Sequence, residues 1–192
     1  GVIESLRAAR PELRFLELVH RLDRETSGLL VLAKRRSALT ALHAELREGR
    51  VYKRYLALVS GRWTGQRSIT LPLRKFVNKE GERRVTVDRA EGQEARTDFR
   101  LERELGAWSL LSCRLRTGRT HQIRVHLAHT GFPIAGDDKY GDFALNRVLA
   151  RQGLARMFLH ATELRLRHPV AGTELRLQAA LPAELAAFVA RA

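Results

Sequence analysis

The feature that most constrains this chain is a pair of strand-length segments, Ala95–Glu104 and Ala107–Arg116, separated only by Leu105-Gly106. Two residues are far too few for a crossover, so the pair must run antiparallel as a hairpin. A second pair, Met157–Arg167 and Glu174–Ala179, closes around Pro169–Gly172 in the same way. Tyr52–Ser60 alternates as a further strand and turns at Gly61–Gly65. Ser68–Leu73 and Arg83–Asp88 are shorter strands around the turn-rich stretch Asn78–Gly81, and Phe15–Val19 and Leu29–Ala33 flank the polar segment His20–Gly28. Helical spacing covers Gly1–Arg10, Arg36–Arg50 and Asp142–Gly153, and Pro182 opens a last helix. After Thr117, residues Ile123, Leu127 and Ala128 share one helical face; Thr120 is placed to cap its start and Gly131 to close its end. Strands and helices mix without a regular β-α-β-α rhythm, and no linker or repeat interrupts them. The expected fold is α+β, one domain over residues 1–192, with a mixed, mostly antiparallel sheet flanked by helices and loops.

Charge narrows the partner. The 192 residues carry 35 Lys+Arg against 21 Asp+Glu, a net charge of +14. All but five of the 35 cations are arginine, and the excess is spread along the chain, with no detachable basic tail. Guanidinium groups pair bidentately with phosphate and stack on bases, so a nucleic-acid partner is expected. No apolar run approaches the roughly 20 residues of a membrane span. One cysteine, Cys113, excludes an internal disulfide framework and cysteine-built metal clusters, and fits a reducing cytoplasm. The chain opens on Gly1 without a methionine or a helix cap, as if cut from a longer protein.

Three segments hold residues able to do chemistry. In His20-Arg21-Leu22-Asp23-Arg24-Glu25-Thr26-Ser27-Gly28, a carboxylate stands between two arginines in a loop flanked by strands. That is a place where a rigid frame presents a nucleophile, although Asp23 and Ser27 also suit an ordinary turn. In Tyr52-Lys53-Arg54-Tyr55, tyrosines among cations offer ring faces for a base and charges for its phosphates. In Gly118–His126, Arg119, His121 and Gln122 fall in the first helical turn, an anion-binding position, with Arg124 further in. His126 and His129 share a face, but the H-E-x-x-H pattern is absent, so no metal is expected. Neither a Walker loop, nor G-x-G-x-x-G, nor a G-x-S-x-G elbow occurs, and no cofactor is expected.

Taken in order, these segments resemble the bacterial ribosomal large-subunit pseudouridine synthases of the RluA/RluC/RluD family. His20–Gly28 is similar to the family's H-R-L-D-x-x-T-S-G motif, which makes Asp23 the catalytic aspartate. Tyr55 falls in its second motif, and Thr117–His126 resembles G-R-T-H-Q-I-R-V-H, which places the active-site arginine at Arg124. Phe158-Leu159-His160-Ala161 resembles the segment that walls the uracil pocket, here with Leu159. The resemblance implies the pseudouridine synthase catalytic fold and a cytoplasmic, monomeric enzyme that isomerises uridines of large-subunit ribosomal RNA without cofactor or metal. It implies that Asp23 attacks C6 of the uracil or C1′ of the ribose, that Tyr55 stacks on the base and helps remove the C5 proton, and that Arg21 fills the gap left by the flipped base. His20, Lys53, Arg119, His121 and Gln122 join Arg21 as expected RNA contacts. The Asn-Lys-Pro-x-Gly segment and the small S4-like RNA-binding domain that precede this motif in such proteins do not occur in the sequence. A non-catalytic RNA-binding domain and a synthase acting on transfer RNA are the competing readings.

Overall fold

The computed structural model describes residues 1–192. Helix α1 (Val2–Ala9) is followed by three two-residue strands, β1 (Glu17–Leu18), β2 (Ser27–Gly28) and β3 (Leu32–Ala33), and by helix α2 (Arg36–Arg47). Strands β4 (Tyr52–Ser60), β5 (Ser68–Thr70), β6 (Leu73–Val77), β7 (Arg83–Val87), β8 (Arg96–Leu105) and β9 (Trp108–Leu115) come next. Helices α3 (Gln122–His129) and α4 (Phe143–Arg151), the hairpin β10 (Leu159–Arg167) and β11 (Glu174–Gln178), and helix α5 (Ala183–Arg191) complete the chain.

The main sheet has seven strands in the order β11-β10-β4-β9-β8-β5, with β2 attached to β10. Every pairing is antiparallel except β2 on β10, so the sheet is mixed as expected. Its two central strands are buried on both faces, and alternation along β4 divides the core. Ala57 and Val59 face α3, packing with Leu111, Cys113, Ile123 and Leu127. Leu58 faces the other way, into a layer with Leu149, Phe158, Leu185 and Phe188 from α4 to α5. A third cluster seats α2, through Leu42, against Leu164 and Leu166 of β10. The β6–β7 hairpin forms its own two-stranded sheet and packs on α3 through Leu73, Val85 and Val125. No helix is long and apolar enough to cross a membrane.

Three local expectations are corrected. Ser68–Leu73 is not one strand: it breaks at Leu71-Pro72, because proline has no N–H for a ladder, and Leu73 starts a new strand paired with β7. Thr120 does not cap α3. The cap residue is His121, held in the left-handed region at φ 53°, and no side chain caps that end. Finally, the polar segment before Gly28 is not all loop, since Ser27 and Gly28 pair in parallel with His160 and Ala161.

That last pairing brings two backbones unusually close. Gly28 has φ 106°, and a Cβ there would overlap the backbone of Ala161. Gly28→Ala is expected to cost at least about 3 kcal/mol, from strain and overpacking together, in urea unfolding. Gly49→Ala, at φ 69° with open space around it, should cost only about 1 kcal/mol. Similar losses at both positions would show that the approach to β10 does not matter.

Candidate active site

The loop bearing Asp23 is fixed from below by β10. Leu29 N–H donates to the Ala161 carbonyl at 3.0 Å, and Ser27 Oγ lies 2.9 Å from His160 Nδ1. His160 Nε2 donates to the Ala179 carbonyl at 3.2 Å, so its Nδ1 is free to accept the Ser27 hydroxyl. Thr26 N–H closes a turn onto the Asp23 carbonyl at 3.0 Å, and Arg156 holds the Glu25 carbonyl at 2.8 Å. The outcome is a short, pinned turn that presents one carboxylate to a cavity of about 560 Å³.

Opposite stands Arg124, on the first turn of α3 and only 5% exposed. Its Nη1 lies 3.3 Å from Asp23 Oδ2. The rest of the guanidinium belongs to Asp137: Nε to Oδ2 and Nη2 to Oδ1, both 2.8 Å, a bidentate pair. Asp137 is fully buried and also accepts the N–H groups of Lys139 and Tyr140. Burial works against the arginine's charge, but the bonds and charge of Asp137, then of Asp23, outweigh it and raise the guanidinium's pKa. Burial likewise opposes the Asp137 carboxylate, and Arg124 reverses the balance and lowers its pKa.

His121 completes this wall. The Tyr140 hydroxyl accepts the Val85 N–H at 2.9 Å and lies 2.8 Å from His121 Nδ1. Burial lowers the ring's pKa, with the Asp23 charge opposing, so the ring is neutral near pH 7. The Tyr140 hydroxyl then donates to Nδ1, leaving the proton on Nε2, which faces Asp23 Oδ1 at 4.0 Å. The Tyr140 ring also carries the Arg124 guanidinium, 5.1 Å from its centroid.

Tyr55, on β4, is 7% exposed and faces the same cavity. Burial, then the Asp23 charge, raises its phenol well above the ordinary value. It therefore stays protonated, which makes it a ring surface and an O–H donor at the cavity. Leu159, with Leu22, Leu115 and Ile123, supplies apolar wall.

The expected RNA contacts divide. Arg21 and Arg119 are exposed at the cavity, and Arg119 is steadied by a bond from Nε to the Glu94 carbonyl at 2.9 Å. Lys53 and His121 also line it. Gln122 is corrected: it is 2% exposed, and its amide is used up on Thr117, the Arg119 N–H, the Arg96 carbonyl and Thr97. His20 lines the cavity but is no cation. Its Nε2 accepts the Val31 N–H at 3.1 Å, and burial, then the Lys53 charge, lowers its pKa to about 4. His126 is likewise structural, between Thr97 and the Leu71 carbonyl.

Sequence reasoning missed Asp137 and Tyr140, in a stretch read only as loop. An acidic pair, Asp137-Asp138, between two glycines in so basic a chain was the available signal. The end of α2 was missed as well: His43, Leu46 and Arg47 form the cavity's far rim.

A carboxylate aimed by a buried arginine within a largely polar, basic cavity is an arrangement able to do nucleophilic chemistry beside an anion. The family model for RNA pseudouridylate synthases matches residues 4–129, and the chain belongs to that family. It is 52% identical over 182 residues to ribosomal large subunit pseudouridine synthase C of Escherichia coli (strain K12), covering 93% of this chain and 57% of that protein. The same-named protein of Yersinia pestis is 50% identical over 186 residues, covering 96% and 58%. The chain thus spans less than three fifths of the length of these relatives. Among solved structures, human RNA pseudouridylate synthase domain containing 4 superposes with a TM-score of 0.76 at 26% identity, over 99% of this chain and 81% of that one. Human RNA pseudouridylate synthase domain containing 1 does so at 0.75 and 28%, over 93% and 74%.

His20 yields a pH test. Between pH 6.5 and about 4 the unfolded chain binds a proton at this ring that the folded chain does not, so stability rises with pH across that window. The contribution is of order 3 kcal/mol, complete above pH 6.5 and absent below about 4. His20→Gln keeps an acceptor for Val31 and should flatten the unfolding free energy over this window relative to the unmutated protein. An unchanged slope would show that His20 titrates normally.

Proposed function

We propose that this chain is the catalytic part of an RNA pseudouridine synthase that isomerises uridines in large-subunit ribosomal RNA. The observation that carries the reading is the Asp23 carboxylate held 3.3 Å from Arg124, itself clamped by Asp137. Phosphate binding alone has no use for a carboxylate there. The names of the bacterial relatives support large-subunit RNA as the substrate.

The reaction breaks the N1–C1′ bond and makes a C5–C1′ bond, so the base must detach and turn without escaping. Extruding the uridine from its stack costs a few kcal/mol, and Arg21, exposed beside Asp23, fills the space left behind. The uracil enters between Tyr55 and Leu159. Asp23 adds to C6 of the base or to C1′ of the ribose, and both routes use the same carboxylate. Arg124 aims that carboxylate with one long contact, which leaves Oδ1 turned towards the substrate. The C5 proton leaves once the new bond has formed. The Tyr55 phenol is protonated, His20 Nε2 accepts from Val31, and His121 Nδ1 accepts from Tyr140. On the C1′ route the new C5–C1′ bond releases the Asp23 carboxylate, which is then the base at hand; on the C6 route the carboxylate leaves C6 as that proton is lost. Arg119 adds a salt-dependent phosphate contact.

Tritium release from C5-labelled uridine in ribosomal RNA measures the reaction. Asp23→Asn should lower turnover by at least about a thousandfold with RNA affinity within a few fold of normal. Near-normal turnover would refute the assignment. Arg124→Lys cannot span Asp137 and Asp23 together, and should lower turnover about a hundredfold or more. An equal fall in affinity would reduce Arg124 to a phosphate contact.

A further inference from the structure

Lys53 is a half-buried cation of the cavity that the mechanism leaves unused. It stands two residues before Tyr55 on β4, so both side chains project from the same face, roughly 7 Å apart along the strand. Its cross-strand neighbours, Leu115 and Leu164, are apolar. The next residue, Arg54, emerges on the opposite face and bonds to Glu163 at 2.9 Å. Lys53 has no such partner: no carboxylate lies within 4.0 Å of its ammonium, and burial alone acts on it, lowering its pKa. The ammonium lies against Gly118, where a Cβ would come within 3.2 Å of Nζ.

A half-buried ammonium with no carboxylate beside it has lost part of its solvation, and what remains is on the cavity side. Other cations lining the cavity are committed or exposed. Arg116 is bonded to Asp98, Arg124 is held by two aspartates, and Arg21, Arg47 and Arg119 sit at the outer surface. An anion brought by the substrate would restore what burial removes from Lys53, and the anions of an RNA strand are its phosphodiesters. We infer that Lys53 binds the phosphodiester flanking the extruded uridine, in a recess between β4 and the Gly118 turn, while Tyr55 receives the base of that same nucleotide. The assignment rests on the RNA-modifying reading above and deepens it, since a free nucleoside carries no phosphodiester to fill this recess.

The test uses a ribosomal RNA fragment containing a uridine that the protein modifies, prepared also with one uncharged methylphosphonate linkage 5′ or 3′ of that uridine. Affinities are measured against KCl concentration for the unmutated protein and for Lys53→Met, a neutral side chain that suits its leucine neighbours. Lys53→Met should weaken binding about tenfold, the worth of one charge-assisted bond, and lower the slope of log affinity against log salt by about 0.7. One of the two methylphosphonates should cost the unmutated protein a similar factor and cost Lys53→Met nothing further. Equal losses in both proteins at both linkages, or no effect of Lys53→Met, would overturn the inference while leaving tritium release, and hence the parent reading, intact. Absence of tritium release from any RNA would overturn both.

Discussion

The site depends on a single guanidinium shared among three carboxylates, of which the exposed Asp138 is the most distant, 3.5 Å from Nη2. A buried arginine without a counter-ion would be strongly destabilising, and Asp137 removes that penalty with two short parallel bonds. The cost of burying the charge is thus met by a residue that takes no part in the reaction. What remains, a single N–H at 3.3 Å, is available to Asp23. Had Arg124 spent its fork on Asp23 instead, the carboxylate would have been locked as tightly as Asp137 is. Division of labour leaves one aspartate as anchor and the other, on a single contact, as the group that the proposed reaction would use.

Such an arrangement needs two backbones in register. Asp23 comes from the loop riding on β10, while Arg124 comes from α3, which packs on the opposite end of the same sheet face through Ile123 and Leu127. The central strands β4 and β9, buried on both sides, hold these elements apart at a fixed distance. The left-handed His121, in the cavity wall, and the close contact at Gly28, at the end of the loop that bears Asp23, are local departures from regular geometry. Both are compatible with a site in which position matters more than local ease.

Much of this was legible because it is local. Strand β4 has the bounds that alternation gives, Tyr52–Ser60, and the two long hairpins follow from turn lengths alone. The three chemical segments do converge on one cavity. The rest was illegible for physical reasons. Asp137 pairs with Arg124 across a loop, where no periodicity links them. Gln122 sits at an anion-binding position by its place in the helix, but its burial follows from Arg96 and Thr97, which only the fold brings near. The break at Pro72 was visible as a proline, yet its consequence, a separate β6–β7 sheet, depends on what β8 offers as a partner. His20 was expected as an RNA contact, because the order of residues in the motif cannot reveal that its ring accepts a backbone N–H.

The net charge of +14 therefore overstates what an RNA can use. Arg54, Arg74, Arg96 and Arg116 are bonded to neighbouring carboxylates, and Arg124 is internal. An arginine already in a carboxylate's fork has little left for a phosphate, whereas an unpaired one keeps its full set of donors. Around the cavity the unpaired cations are Arg21, Arg47, Lys53 and Arg119, drawn from four different segments. They surround the carboxylate of Asp23 without pairing with it. The same geometry thus separates two electrostatic features: the rim is positive, as the proposed polyanionic substrate would require, and the interior keeps one negative group facing the cavity.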